Sequence, residues 1–365
     1  MRQEPGQTSP VLEAKQITVV YGKRTVLDVA SVQLHPNRVT AIIGPNGSGK
    51  TTLSLCLALL LKPTTGSILL DGAAVGDGSM MRARRRFAVV FQEPLLLNTS
   101  VWDNVTLGMR LRGFSRAETK QRTLQWLDRF GIASLAQRNA KTLSGGEAQR
   151  TSLARAFVLQ PEVLFLDEPF AALDVPTRES LFGDMVNILQ ETRVTTVMVT
   201  HDRNEAQTLA SRVVMLIGGK IVQEGSSKEV FSSPASEEIA KFVGMENIVE
   251  GRVVANNNGI ADVSVGGHVV EGVSRCAVGE PVNVFIRPED ITLSLAQSVT
   301  SARNHFSGRI TAMLPTGPLM RVSLDCGFPL VALITRMSAD ELNLQPGKTV
   351  YASFKVTAIH IIAQR

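Results

Sequence analysis

Only three cysteines occur in this 365-residue sequence, Cys56, Cys276 and Cys326. They are widely separated and show no C-x-x-C spacing, which argues against a disulfide framework and a zinc site and fits a reducing cytosol. Long apolar runs are missing too. The most apolar stretch, Leu53 to Leu61, is broken only by Ser54 and Cys56 sits within it; it falls well short of the roughly 20 residues that cross a bilayer as a helix. The opening MRQEPGQTSP is polar and lacks the apolar core of a secretion signal, so residues 1–9 are expected to be a flexible tail. Any role in transport would require another chain to cross the membrane.

Apolar residues make up 44% of the chain, and its length predicts at least two domains. The net charge of +5 suits phosphate-bearing ligands or an anionic membrane surface, and equally an ordinary solvated basic face. From Lys15 to about Ile221, β-branched runs (ITVVY, RVTAIIG, FAVVF, VLFLD, TTVMVT, RVVMLI) alternate with helical patterns. That is an α/β layout with a parallel core sheet, expected to occupy residues 10–240. Between about 94 and 141 the strands stop and apolar residues fall at helical spacing, as in AETKQRTLQWLDRFGI, predicting a helical insertion. From about 245 to 365 short strands punctuated by Gly, Asn and Pro predict an all-β domain. Within it GRVV at Gly251 is echoed by GRIT at Gly308, and GEPVNVFIRPEDI at Gly279 by GKTVYASFKVTAI at Gly347. The echo places Arg287 opposite Lys355 and predicts two tandem units, about 245–299 and 300–365, linked near Ala296 to Thr300.

GPNGSGKT, from Gly44 to Thr51, follows the apolar strand VTAII and precedes the helical pattern TLSLCLALLL, the context a phosphate-binding P-loop requires. Gly44, Gly47 and Gly49 let the backbone wrap closely around phosphate oxygens, and the helix start adds a favourable dipole. Lys50 is placed to neutralise the β and γ phosphates, and the Thr51 hydroxyl to ligate Mg²⁺. VLFLDE ends a buried-strand pattern in two carboxylates. After a P-loop, Asp167 is expected to hold the magnesium shell and Glu168 to polarise the attacking water; an isolated pair would more simply cap a helix.

LSGGEAQR, from Leu143 to Arg150, together with these two motifs resembles the ABC ATPase signature. The resemblance covers about residues 10 to 240 and implies an α/β P-loop NTPase fold binding ATP and Mg²⁺. It implies that Asn46, Ser48 and Thr52 join the phosphate cradle, that Gln92 in VVFQEP is the Q-loop residue near the metal, and that Asp174 in ALD is the D-loop. By the same likeness His201 in VTHD is the switch histidine and Tyr21 stacks on adenine. Glu147 and Ala148 depart from the glutamines common there, leaving Ser144, Gly145 and Gly146 in place. The resemblance further implies a head-to-tail homodimer in which one subunit's Lys50 loop and the other's Ser144 loop sandwich each ATP. The helical insertion would pass the motion to integral-membrane permease subunits. Such a protein sits peripherally on the cytoplasmic face of the inner membrane, is served indirectly by a periplasmic or extracellular binding protein, and binds no nucleic acid.

The β-rich tail resembles the TOBE domains of importer subunits, especially in VFIRPEDI from Val284. Residues 300 to 365, through SARN, GRI, LIT, ADELNLQPGKTVYASFK and TAIH, resemble the OB-like Mop fold of molybdate- and tungstate-binding proteins. That likeness maps oxyanion ligands onto Ser301, Arg303, Thr335, Ser338 and Lys355, and implies a molybdate/tungstate importer with a sensing tail. Val356 stands where alanine is frequent and could crowd the site. The alternatives are a tail that only dimerises, another cargo such as a sugar or sulfate, a soluble ABC protein of translation or repair, and an oxyanion buffer. One P-loop and no long heptad arm oppose the soluble class; Glu168 and His201 oppose a buffer.

Overall fold

The computed structural model describes residues 9–297 and 300–364. The expected tail falls almost wholly outside the described residues, as do positions 298 and 299 of the expected linker. The chain divides into two compact units, Met1–Val230 and Phe231–Arg365.

The first unit is an α/β P-loop fold. Its central sheet runs in the order Lys220–Ser226, Arg212–Ile217, Val39–Ile43, Thr195–Val199, Val163–Asp167, Phe87–Val90. All neighbours are parallel except the Lys220–Ser226 edge, which turns back on Arg212–Ile217 as a hairpin. Strands such as Val163–Asp167 and Thr195–Val199 read as unbroken apolar runs because helices cover both faces. The parallel arrangement delivers Gly44, Glu168 and His201 to one edge, at the carboxyl ends of three adjacent strands. ITVVY belongs to a different sheet. Leu12–Tyr21 pairs antiparallel with Arg24–Leu34 and Thr65–Leu70, an assembly in which alternate residues face the core and the rest face water.

The segment following Phe87–Val90 holds the helices Val101–Leu111 and Arg116–Arg129. Each starts on a serine, Ser100 or Ser115, whose hydroxyl accepts the N–H three residues on. Trp126 and Phe130 pack on Phe157 of the helix Gly145–Phe157, with ring centroids 4.8 to 5.9 Å apart, and so pin the segment to the signature helix.

The second unit is all-β after a short helical start. Its boundary falls upstream of the 240–245 predicted from texture, because residues 231–242 dock on the strands that follow. Arg287 donates to the Phe231 carbonyl, His360 Nε2–H to that of Pro234, and Asn283 to the Glu237 carboxylate. Arg287 and Lys355, opposite each other in the sequence echo, each open a 3-10 turn, Pro288–Asp290 and Val356–Ala358. The two halves are nevertheless not two bodies. Ile359–Ala363 leaves its own half and pairs with Pro281–Ile286, completing a closed five-stranded barrel with Asn247–Asn257, Ile260–Val265 and His268–Val273. Reciprocally, Thr292–Ser294 pairs with Thr349–Phe354 in the sheet of Asn304–Thr316, Leu319–Asp325 and Pro329–Thr335. One continuous apolar cluster, from Val249 to Ile361, fills both halves.

Candidate nucleotide site

The helix Lys50–Leu57 begins on Gly49 in a left-handed conformation, with no side chain capping its first N–H groups and no acid in its first turn. Helix starts leave such donors orphaned, and an uncapped one is a ready anion site. Gly44 is required by space: a Cβ there would lie 2.0 Å from the Leu216 carbonyl oxygen. The Ser48 hydroxyl is buried with no partner among the described residues, an acceptor and donor held for something else. Lys50, only 6% exposed, folds its ammonium onto the loop's own carbonyls, 3.0 Å from Gly44 O and 2.9 Å from Pro45 O. Burial pulls its pKa down, opposed by the nearby carboxylates Glu168 and Asp167.

Across from the loop, Asp167 ends its strand and accepts the Thr51 hydroxyl at 3.1 Å. Burial raises its pKa; the Thr51 bond opposes the shift and the Glu168 charge adds to it. Glu168 takes φ +45°, a left-handed conformation costly for a non-glycine residue, while its N–H is tied to Val199 O at 2.9 Å. Its carboxylate lies 3.2 Å from His201 Nδ1. A hydroxyl–carboxylate pair, a second carboxylate with an imidazole, a buried ammonium and a bare helix start thus meet on one sheet edge.

Residues 27–171 match the model of the ABC transporter family and residues 300–361 that of the TOBE domain. The molybdate/tungstate import ATP-binding protein WtpC of Pyrococcus horikoshii is 41% identical, over 88% of this chain and 91% of its own. The chain belongs to the ATP-binding subunits of ABC importers. The sulfate/thiosulfate import ATP-binding protein CysA of Thermosynechococcus vestitus is 34% identical over 90% of each chain. Among solved structures, the dimeric post-hydrolysis ATP-binding cassette MJ0796 bound to ADP and Pi superposes with TM-score 0.54 and 28% identity, covering 59% of this chain and 98% of that one. As a member of this family the chain binds and hydrolyses ATP.

The other motif residues of this ABC subunit lie apart from that cluster. Tyr21 ends its strand 56% exposed, its ring open to a stacking partner, and Gln92 is exposed just past Phe87–Val90. Ser144 caps Gly145–Phe157: its hydroxyl accepts Glu147 N–H at 3.3 Å while the Glu147 carboxylate accepts Ser144 N–H at 2.7 Å. The glutamate that departs from the family's glutamine therefore completes a capping box, and the Ser144 backbone bond holds its carboxyl below the usual range. A Cβ on Gly146 would strike Thr177 Cγ2 at 2.4 Å, whereas Gly145 faces open space. Asp174 accepts Thr177 N–H at 3.1 Å and caps the helix Val175–Thr192. No hydrogen bond or ion pair among the described residues joins Ser144 or Asp174 to the Lys50 loop.

Several supporting residues carry no motif. Arg178, one turn beyond Asp174, pairs with Asp202 and, at 2.7 Å, with Glu205, and Glu205 accepts the Thr200 hydroxyl, so the residues flanking His201 are braced on the D-loop helix. Arg155 is half-buried without a carboxylate and donates to Pro94 O at 2.8 Å and Leu95 O at 3.0 Å, fastening the segment after Gln92 to the signature helix. Neither arginine had a signal in the sequence, since each sits in an ordinary helical stretch and meets its partners only in the fold.

In the β unit the five oxyanion candidates separate. Ser301 and Lys355 line one cavity of about 360 Å³, which also holds Glu289 and Asp290. Thr335 and Ser338 hydrogen-bond each other at 2.8 Å at the start of the helix Arg336–Glu341. Arg303 pairs with Glu271 at 3.0 Å. Val356 is buried.

Proposed function

We propose that this subunit energises the import of molybdate or tungstate as a head-to-tail homodimer, docked peripherally through its helical insertion on permease subunits at the cytoplasmic face of the inner membrane. The observation that carries the chemistry is the Glu168–His201 contact beside Lys50 and Thr51. Glu168 takes a proton from the water that attacks the γ-phosphorus; the new P–O bond forms as the bond to the β-phosphate oxygen breaks, and ADP leaves. His201 orients that carboxylate and reaches toward the γ-phosphate, and Lys50 exchanges the two loop carbonyls for phosphate oxygens. Asn46, Ser48, Thr52 and the N–H groups beside Gly47 hold the phosphates, with Tyr21 against the adenine.

Mg²⁺ fits the residues present. Thr51 Oγ1, the Asp167 carboxylate and the Gln92 amide are hard oxygen donors, and one carboxylate with substrate phosphates is the usual magnesium set. Held by these residues, a bound Mg²⁺ would neutralise phosphate charge during the transfer.

Ser144, with Gly145 and Gly146, serves the ATP of the second subunit, and Asp174 lies between the two sites. The dimeric ABC cassette among the similar structures supports this reading. The molybdate/tungstate assignment rests on the relatives of that name and on the hydroxyls and cations of the tail. Ser301 and Lys355 line a cavity that Thr335, Ser338 and Arg303 do not line, so in this reading the sensing site takes Thr335 and Ser338 from a second copy, with Arg303 released from Glu271 to meet the anion.

Titration calorimetry of the full chain with molybdate, tungstate and sulfate tests the tail. Binding of the first two, lost in Arg303→Ala with Lys355→Ala, is expected, together with slower ATP turnover on the reconstituted permease. Equal binding of sulfate would point to the cargo of the CysA relatives, and no binding at all would leave the tail as a scaffold.

A further inference from the structure

Away from the nucleotide edge, the first unit holds a cavity of about 580 Å³ that none of the ATP motifs lines. This is the size of small-molecule sites, which run from roughly 300 to 1,000 Å³. Its floor is aromatic: Trp126 and Phe157, 6% and 2% exposed, lie with ring centroids 4.8 Å apart. Its mouth is polar and exposed, formed in part by Asn37, Gln160 and Arg193.

Those three residues share an unusual backbone. Asn37 has φ +59°, Gln160 +48° and Arg193 +49°, all left-handed. Gln160 and Arg193 follow helix ends, where glycine adopts this conformation at least cost. Keeping long polar side chains there sacrifices stability at two points on one rim, the pattern expected where side chains are retained for a ligand.

Charge selects the ligand's sign. Arg129 at the wall is already paired with Glu191 and lies over the Trp126 ring, 5.4 Å from its centroid. Glu162 is paired with Arg86 at 2.5 Å. Arg193 makes no ion pair among the described residues and is the one uncommitted charge at the mouth. The geometry points to a binding site for a small planar organic anion, an aromatic carboxylate in chemical class, its ring against the edges of Trp126 and Phe157 that line the cavity and its carboxylate on Arg193 with Gln160 and Asn37 as further donors. The ligand touches the helical insertion through Trp126, the signature helix through Phe157 and the end of the D-loop helix through Arg193. Occupancy therefore ties together parts that ATP must move and slows hydrolysis.

The sequence holds two tryptophans, so Trp102→Phe leaves Trp126 as the only indole in the full-length chain. 4-Nitrobenzoate, a planar carboxylate that quenches indole on contact, is the probe. Saturable quenching is expected, its midpoint weakened by ATP toward a finite limit because the two ligands favour different arrangements, with ATP turnover reduced about fivefold or more at saturation. Arg193→Asn keeps a residue suited to the left-handed conformation and weakens binding about tenfold. Thr192→Phe, which fills the mouth from an exposed helix position, abolishes both quenching and inhibition while leaving basal turnover intact. Uncharged 4-nitrobenzyl alcohol binds about tenfold more weakly than the carboxylate. Linear, unsaturable quenching, equal quenching in all variants, or a probe affinity that falls without limit in proportion to ATP, as simple competition requires, overturns the site; saturable quenching with unchanged turnover overturns its coupling to hydrolysis.

Discussion

Two helix starts in this subunit, both built from serine and glycine, are finished in opposite ways. Lys50–Leu57 begins bare, with no capping side chain, an orphaned Ser48 hydroxyl and an ammonium resting on its own loop. Gly145–Phe157 begins capped, its Ser144 and Glu147 closing a reciprocal box that satisfies the N–H groups of both residues. The first is incomplete without an anion; the second is rigid before any ligand arrives. In that box Ser144 uses its oxygen as acceptor, which leaves its hydroxyl proton free to donate to a phosphate presented by another subunit. One end of the sandwich receives charge and the other offers a preset donor.

The largest effect should come from the bare side. Glu168→Gln keeps the shape of the side chain and removes the base, and turnover should fall by roughly 10²- to 10⁴-fold with ATP binding retained. Single-turnover hydrolysis checks this, and a near-normal rate would take Glu168 out of the chemistry. On the preset side, Ser144→Arg should reduce turnover by roughly 10²-fold or more, because a positioned donor is lost and bulk enters the interface. Nucleotide affinity of the monomer should be unaffected, and a mixture with Lys50→Ala should regain at most one working site per dimer; wild-type turnover in the single variant would contradict the sandwich.

Two smaller effects separate the two starts by stability. Asp167 has its pKa raised by burial, so the folded state holds its proton more tightly than the unfolded chain does, and stability falls as pH climbs from the unfolded value into the folded one. Asp167→Asn should therefore raise the melting temperature of the nucleotide-free protein at pH 7, by on the order of 2 °C, and this gain should vanish in acid. Magnesium-dependent turnover should be lost in the same protein. Glu147 has the opposite sign. Its pKa is lowered by the Ser144 backbone bond, so its contribution is complete above the unfolded value and disappears as pH falls through the folded one. Glu147→Ala should cost about 1 kcal/mol at pH 7, and that cost should disappear in acid as the carboxylate protonates. Denaturant melts at the two pH values test both, and a Glu147→Ala cost that persisted in acid would mean that the carboxylate is not the cap.

What was legible in the sequence was whatever one local stretch decides. The Lys50 loop, the strand ending at Asp167 and the turn holding His201 each carry their chemistry within a few residues, and parallel strand order brings them to one edge. Arg178 and Arg155 escaped notice because their partners, Glu205 and Pro94, are distant in the chain and their own neighbourhoods read as ordinary helix. The antiparallel sheet around Leu12–Tyr21 was missed in part because Arg24–Leu34 mixes charges among its apolar residues, its outer face being wet. The tail's echo is local, with Arg287 and Lys355 each preceding a 3-10 turn, yet which half each closing strand joins is a matter of pairing that no local pattern encodes. The same limit explains why five oxyanion candidates read from one likeness occupy three places.

The exchange of Ile359–Ala363 and Thr292–Ser294 between the halves sets an order of events at the ribosome. The first barrel cannot close when its own repeat has been made, since Pro281–Ile286 must wait with an unpaired edge until residues 359–363 have been synthesised. A nascent tail thus exposes an adhesive strand for the whole time the second half is under construction, and folds only as one cooperative piece. Losing that closing strand to a protease or a nonsense codon would unseal the barrel farthest from the damage in sequence while sparing the ATPase motifs, leaving a chain able to bind nucleotide but prone to stick to its copies.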